Sequence, residues 1–396
     1  MNLVNKFVKG LIFSSLVGLS FFQGDYVKRV EEREINNVNK EIFIPEYKRE
    51  LSNVLMKFQP DNKYQENLIE EVLNYSDVYF LTPNFSNKEK KQFFRNLDKE
   101  ENKITPLYIE EKGRLRQAWS QDLFELLVTD KTRKVIFPNY IGLDSSLVSF
   151  TNFLKKDSIE YILSKNNFEG GHLVYDYFNG KNLLFSGTRN VFLNSLAREE
   201  KIINYKKEFG ADSIIFFNIN SDETPLFHLD QCFTFVDSGK VAILNLNNYS
   251  LEDFYFEKED ELSVFEKEFY LNYSSIGANQ ILISEFIEKS LDYSKKMLTN
   301  IQNKFTKLGY QVYSLPASYW QILNYQSYIN SRLFADEDKR KILMPIFPNS
   351  EGIYDINYFK NKKAKEFFEN FGLEVIPVIN KSWEKQGNIH CLINEI

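Results

Sequence analysis

Cysteine and histidine are scarce: the 396 residues include two Cys and three His. That inventory excludes zinc ribbons, zinc fingers and a disulfide scaffold, and it allows every Cys and His to be weighed individually. Gly and Pro, at 16 and 10 residues, are too few for a disordered or collagen-like chain. Positive charge is not in excess. The formal net charge is −6, from 49 Lys plus Arg against 55 Asp plus Glu, and no Lys/Arg block is dense enough to track a phosphate backbone, so nucleic acid is not an expected partner. What is abundant is apolar and aromatic, at 43% and 16% of the chain. At this length such a composition buries one large core or two ordinary ones without a covalent staple.

Residues 1–26 read as a targeting segment. Lys6 and Lys9 give a positive start, and residues 11–22 form an uncharged apolar run. That run is shorter than the roughly 20 residues a membrane-spanning helix needs and suits the apolar part of a secretory signal. Gly18 and Ser20 offer only a weak cleavage pattern, and no Cys follows to carry a lipid. The expectation is export, with the segment cleaved or kept as an anchor, so that membrane contact is made through it alone. The alternative is an apolar helix packed on a cytoplasmic protein. Residues 27–76 are charged with apolar residues at roughly helical spacing, which predicts a helical N-terminal extension. Residues 77–396 are then the body.

Along the body a short apolar run ending in Pro or Asn recurs, at 78–84, 134–139, 213–220, 311–318, 341–349 and 374–380. Such Val-, Ile- and Phe-rich runs predict strands buried on both faces, with Pro marking where the strand leaves the sheet. Helical patterns lie between them, at 145–165, 281–303 and 360–372. Strand alternates with helix, so the fold class is α/β. The repetition implies similar units, stacked or set around an axis.

The rare residues fall in three patches, and a fourth carries an acid beside Trp119. Glu169-Gly170-Gly171-His172 puts a carboxylate beside backbone that needs no side-chain room; the plainer reading is a turn entering a strand. His228-Leu229-Asp230-Gln231-Cys232, read as a strand, sets His228, Asp230 and Cys232 on one face. Its plainer reading is a core His with a capping Asp. Gln386-Gly387-Asn388-Ile389-His390-Cys391 brings a Cys out of a turn into a strand, where its sulfur can be approached; a small buried apolar residue is the alternative. On a strand His390 faces away from Cys391, which leaves His228 to serve as its base. Asp122, in Trp119-Ser120-Gln121-Asp122, is unremarkable by itself.

In this order, the patches resemble the guanidine-modifying superfamily, the penteins. The stretch 363–395 is similar to the ending of agmatine deiminases and bacterial peptidylarginine deiminases, Glu169-Gly170-Gly171 to their E-G-G, His228-Leu229-Asp230 to their H-x-D, and Gln121-Asp122 to their R-D. The resemblance spans about 77–395 and implies a pentein α/β propeller, a pseudo-fivefold repeat of mixed β/α units. Gln121 departs from the family's Arg, and Gln386 shortens its run of glycines. The activity implied is hydrolysis of a guanidino group, in agmatine or an arginine-containing peptide, to a ureido product and ammonia. Cys391 would be the nucleophile and His228 the proton carrier; Asp122, Asp230 and Glu169 would grip the planar cation. No cofactor and no metal is implied. Amidino transfer, or an inactive pentein used as a binding module, are the alternatives. The sequence assigns no oligomeric state.

Overall fold

Each of the six apolar runs becomes a strand. The computed structural model describes residues 41–51, 53–57, 65–82, 103–108, 123–141, 147–188, 198–219, 224–226, 228–250, 253, 280–323, 326–349, 352–379 and 389–395. The expected signal at 1–26 and the first part of the expected extension, 27–40, lie outside them. Residues 41–396 form one compact unit. Among the described residues, no helix is long and apolar enough to cross a membrane.

β1 (Asn53–Lys57) connects through helix α1 (Gln65–Val72) to a parallel neighbour, β2 (Asp77–Thr82), and β3 (Ile104–Tyr108) extends that sheet in parallel. Four three-stranded sheets follow, each an antiparallel hairpin and then a helix that returns the chain parallel to the second strand. β4 (Glu125–Val128), β5 (Arg133–Phe137), α2 (Val148–Lys156) and β6 (Glu160–Leu163) are the first. β7 (Leu173–Phe178), β8 (Lys181–Gly187), α3 (Arg198–Phe209) and β9 (Ser213–Phe217) repeat it. β10 (Phe233–Asp237), β11 (Lys240–Asn245), α4 (Gln280–Lys307) and β12 (Gln311–Pro316) do so again. After a short helix α5 (Tyr319–Leu323), the fourth is β13 (Arg332–Asp336), β14 (Lys339–Ile346), α6 (Phe359–Glu369) and β15 (Leu373–Ile379). A helical turn α7 (Ile389–Leu392) leads into β16 (Asn394–Glu395), which pairs antiparallel with β1. β16, β1, α1 and β2 therefore repeat the same unit a fifth time, with both ends of the chain contributing. A parallel return needs a crossover of a dozen or more residues, which is why a helix recurs at that place. The five sheets are separate, and among the described residues none closes on itself.

Three expectations are corrected here. Residues 41–76 are not a helical cover: β1 is a central strand between β16 and β2, and Val54, Leu55 and Met56 have no exposure. A run apolar on both faces satisfies a buried parallel strand better than a helix with one wet side. The pattern at 145–165 divides, α2 ending at Lys156 and β6 taking 160–163. Pro345 and Pro377 sit inside β14 and β15 rather than at their ends. Both are tolerated because β15 is an edge strand and β14 has outrun its pairing with β13, which stops at Leu343.

The largest apolar cluster lies under α4, whose Ile287, Leu291, Leu298, Ile301 and Phe305 form the stripe expected of one buried helix face. Phe305 has its ring centroid 4.8 Å from that of Phe233 and 5.1 Å from that of Phe185. Before β1, the stretch 41–50 lies between two sheets. Phe43 bridges Thr129 just after β4, and Glu50 bridges Ala335 in β13.

Candidate active site

Four of the five residues singled out in the sequence are among the described ones, and they converge. Glu169 precedes a 3-10 turn, Gly170–His172, at the entry to β7. Its Oε2 lies 3.3 Å from His228 Nε2 and 3.8 Å from His172 Nε2. The glycines there are a matter of space. A Cβ on Gly171 would collide with the His228 ring, and one on Gly187, at the end of β8, with the His172 ring. The two imidazoles stack edge to face, with centroids 4.8 Å apart.

His228 and Asp230 do not lie on a strand, as the period-two reading expected. Leu229–Gln231 is a 3-10 turn ahead of β10, and Gln231 Oε1 accepts the His228 backbone N–H at 3.2 Å. The tighter turn still projects His228 and Asp230 together but sends Cys232 elsewhere. Cys232 is fully buried, its Sγ donating to the His228 carbonyl at 3.4 Å, and burial, then the nearby Asp230 charge, push its thiol far above the usual range. That environment makes it inert.

Cys391 likewise sits in the helical turn α7 and not on a strand. Its backbone N–H and its Sγ reach Asn330 Oδ1 at 3.4 and 3.5 Å, and Sγ lies 3.7 Å from Asp230 Oδ2. Donor atoms of His228, Asp230 and Cys391 all lie within 4.8 Å of one another, as do those of Glu169, His172 and His228. Either set could receive one cation. Neither cysteine is in a disulfide. Asp122 lies outside the described residues.

The helical turn also corrects the placement of His390. A strand would have turned it away from Cys391; here its Nδ1 lies 3.2 Å from Asp230 Oδ2, the same oxygen that Cys391 Sγ approaches. Its Nε2 faces Glu46 Oε1 and Oε2 at 3.1 and 3.2 Å. Glu46 opens a 3-10 turn, Glu46–Lys48, and also meets Arg332 from β13 and Arg49. Burial works against charge on Glu46, but Arg332, His390 and Arg49 override it and hold its carboxyl well below the usual range. Burial works against charge on His390 too, yet Glu46 and Asp230 raise it to about 9. Glu125 on β4 is pushed up to about 8 by burial and by the Glu46 charge.

Glu46, Tyr47, Glu125, Tyr175, Asp230 and His390 line a cleft. His228, Glu169 and Cys391 are not in its wall, so Asp230 joins cleft and cluster. Asp230 is 4% exposed, and its Oδ1 has no hydrogen-bond partner among the described residues. An ionised carboxylate is an acceptor with room for about four donors, so an idle buried oxygen is an invitation to a cation.

Nothing in the sequence points to Glu46, Asn330 or Arg332; His172 is named there without a role, and His390 is set aside because a strand would turn it away from Cys391. For both histidines a signal existed: the chain has three His, and all three gather at this one place.

No family model matches the chain, and no curated protein sequence does. Solved structures do. The agmatine deiminase of C. jejuni superposes with a TM-score of 0.57 at 14% identity, covering 92% of this chain and 98% of that one. The chain has the pentein fold. A second protein of this fold, assigned as an agmatine deiminase, gives 0.56 at 14% identity over 90% of this chain and 95% of its own. ArgZ, an arginine dihydrolase from cyanobacteria, gives 0.42 at 10% identity, over 87% of this chain and 39% of its own. The pentein scaffold accounts for the repeated sheet-and-helix units; what the site does must be argued from its own groups.

Proposed function

We propose that the protein is a cysteine-dependent deiminase that hydrolyses a guanidino group to a ureido group and ammonia. The observation that carries this reading is the meeting of Cys391, His228 and Asp230 within 4.8 Å, with one Asp230 oxygen still available. A guanidinium is planar, permanently charged and resonance-stabilised, so its carbon is a poor electrophile until the cation is held flat against a nucleophile. Asp230 Oδ1 supplies one grip, Glu169 a second from beside His228, and Asp122 a third. Cys391 sulfur attacks the central carbon and a C–N bond breaks, the departing nitrogen taking a proton from His228 to leave as ammonia. Water, deprotonated by His228, then attacks the same carbon. The C–S bond breaks as the new hydroxyl gives up its proton to solvent, where the ammonia takes it up as ammonium, and the ureido product and the thiolate are released. In the free protein Cys391 Sγ faces two oxygen acceptors, Asp230 Oδ2 and Asn330 Oδ1, which favours the thiol. An arriving cation reverses that field and favours the thiolate.

The proposed substrate is an arginine side chain in a peptide or an agmatine-like small molecule. The available Asp230 oxygen in the cleft wall and the pentein fold shared with agmatine deiminases support this class. The exported location proposed from residues 1–26 favours the peptide. The five like units also support the propeller arrangement, with β16 and β1 joining the ends. A panel of arginine, agmatine and arginine-containing peptides, assayed for ammonia and ureido product, tests the activity. Cys391→Ala should abolish turnover and Cys232→Ala should leave it; equal activity in both refutes the assignment. Consumption of an added amine in place of water would make the reaction amidino transfer. Fractionation of the native cell tests the location.

A further inference from the structure

We infer that Glu46 is a positioning residue of this site: it acts through His390 to fix Asp230, so the stretch before β1 is part of the machinery. The inference rests on the deiminase reading above. Both ring nitrogens of His390 face carboxylates, Nδ1 at 3.2 Å from Asp230 Oδ2 and Nε2 at 3.1 and 3.2 Å from the two Glu46 oxygens. Arg332 Nη1 also lies 3.4 Å from Nε2, but that guanidinium nitrogen already donates to Glu46 Oε1. An ionised carboxylate only accepts, so the ring donates to both acids with a proton on each nitrogen. As an imidazolium it donates both ways at once, like the bridging imidazole of a metal site's outer partners but between two acids. The consequence falls on Asp230. With Oδ2 held by Nδ1–H, the carboxylate cannot turn to give both oxygens to the Cys391 thiol or the Asn330 side, and Oδ1 stays available for the substrate.

The surroundings are arranged to keep that proton in place. The charged and titratable groups around His390 are Glu46 from the stretch before β1, Glu125 from β4, Asp230 from the turn before β10 and Arg332 from β13, with Arg49 behind them on Glu46. Arg332 and Arg49 hold Glu46 ionised. Glu125 is largely protonated at neutral pH, so it adds no second anion to compete for the ring. Burial by itself would strip the proton from His390, and Glu46 and then Asp230 outweigh it. Of the two, Glu46 is the partner free of any direct role with substrate, so it can be altered without removing the grip.

The test is Glu46→Gln, which keeps the shape and one acceptor and removes the charge. Two readouts are needed. In the Cys391→Ala protein, which cannot turn over, NMR of the imidazole carbons should find His390 titrating near 9; adding Glu46→Gln should lower that midpoint by at least about one unit. In the protein with Cys391 intact, Glu46→Gln should raise KM for the guanidino substrate on the order of tenfold, the loss of one charge-assisted contact to Asp230, with a smaller change in kcat. Its alkaline limb of kcat/KM should move down in pH, and Glu46→Asp should restore most of the wild-type profile. A His390 that is neutral at pH 7, or a midpoint and a KM both unmoved by Glu46→Gln, overturns the inference. The imidazole titration needs no turnover: if it behaves as expected while no guanidine is consumed, the positioning contact stands and the deiminase reading falls.

Discussion

His228 is seated on backbone. Its ring occupies the space a side chain on residue 171 would need, and His172 does the same at residue 187. Gly171→Ala should therefore displace His228 from Glu169 and Cys391 and lower kcat by two orders of magnitude or more, the usual worth of a positioned general acid–base. Gly187→Ala displaces His172 instead, a residue with no assigned step, and should leave the greater part of kcat intact. Steady-state kinetics of the two variants, with circular dichroism as the folding control, separate them; equal losses would mean that His228 has no special part. At this scale the sequence was legible where rarity pointed. Glu169, His228, Asp230 and Cys391, the residues to which the resemblance drew attention, lie near one another, with their roles a proposal, whereas Glu46 and Arg332 are ordinary residue types whose meeting depends on tertiary structure alone.

Among the elements, α4 buries an aromatic side chain in the largest apolar cluster. Phe305 is fully buried, with rings of Phe185, Phe217, Phe233, Phe235 and Tyr310 around it. Phe305→Ala should cost about 3–5 kcal/mol, as deletion of a core aromatic does, measurable as a lower denaturant midpoint. A loss below about 1 kcal/mol would show that the cluster collapses to refill the hole. The six runs read as strands were legible because both faces are buried, which leaves a continuous apolar signature. β1 carries the same signature but was hidden by charged neighbours on either side. The turns at 229–231 and 389–392 were read as strands because three or four residues are too few to establish a period. In both, the tighter geometry changed which neighbours meet: Cys232 left the cluster and His390 entered it.

For the molecule as a whole, the buried ionisable groups set a direction with pH. His390 goes from an ordinary 6.5 to about 9, and Glu125 from 4.5 to about 8. In each case the folded form binds the proton more tightly, so stability falls as pH rises, between 4.5 and 8 for Glu125 and between 6.5 and 9 for His390. Glu46, held below its usual range, works oppositely, and its contribution is lost as pH falls below about 4.5. The melting temperature is expected to peak at mildly acidic pH and to decline from 6.5 to 9; a flat or rising curve over that interval would contradict the assigned protonation of His390 and Glu125. The site also has a history built into its wiring. Glu46 and His390 are 344 residues apart in sequence, and β16 reaches back to β1 over a similar span. A growing polypeptide thus carries Glu46, Glu169 and His228 long before the sulfur exists to join them. On the deiminase reading proposed above, reactivity toward guanidines would be withheld until synthesis has passed residue 391 and that strand has docked, so a half-made copy would be chemically harmless to arginines, its own included.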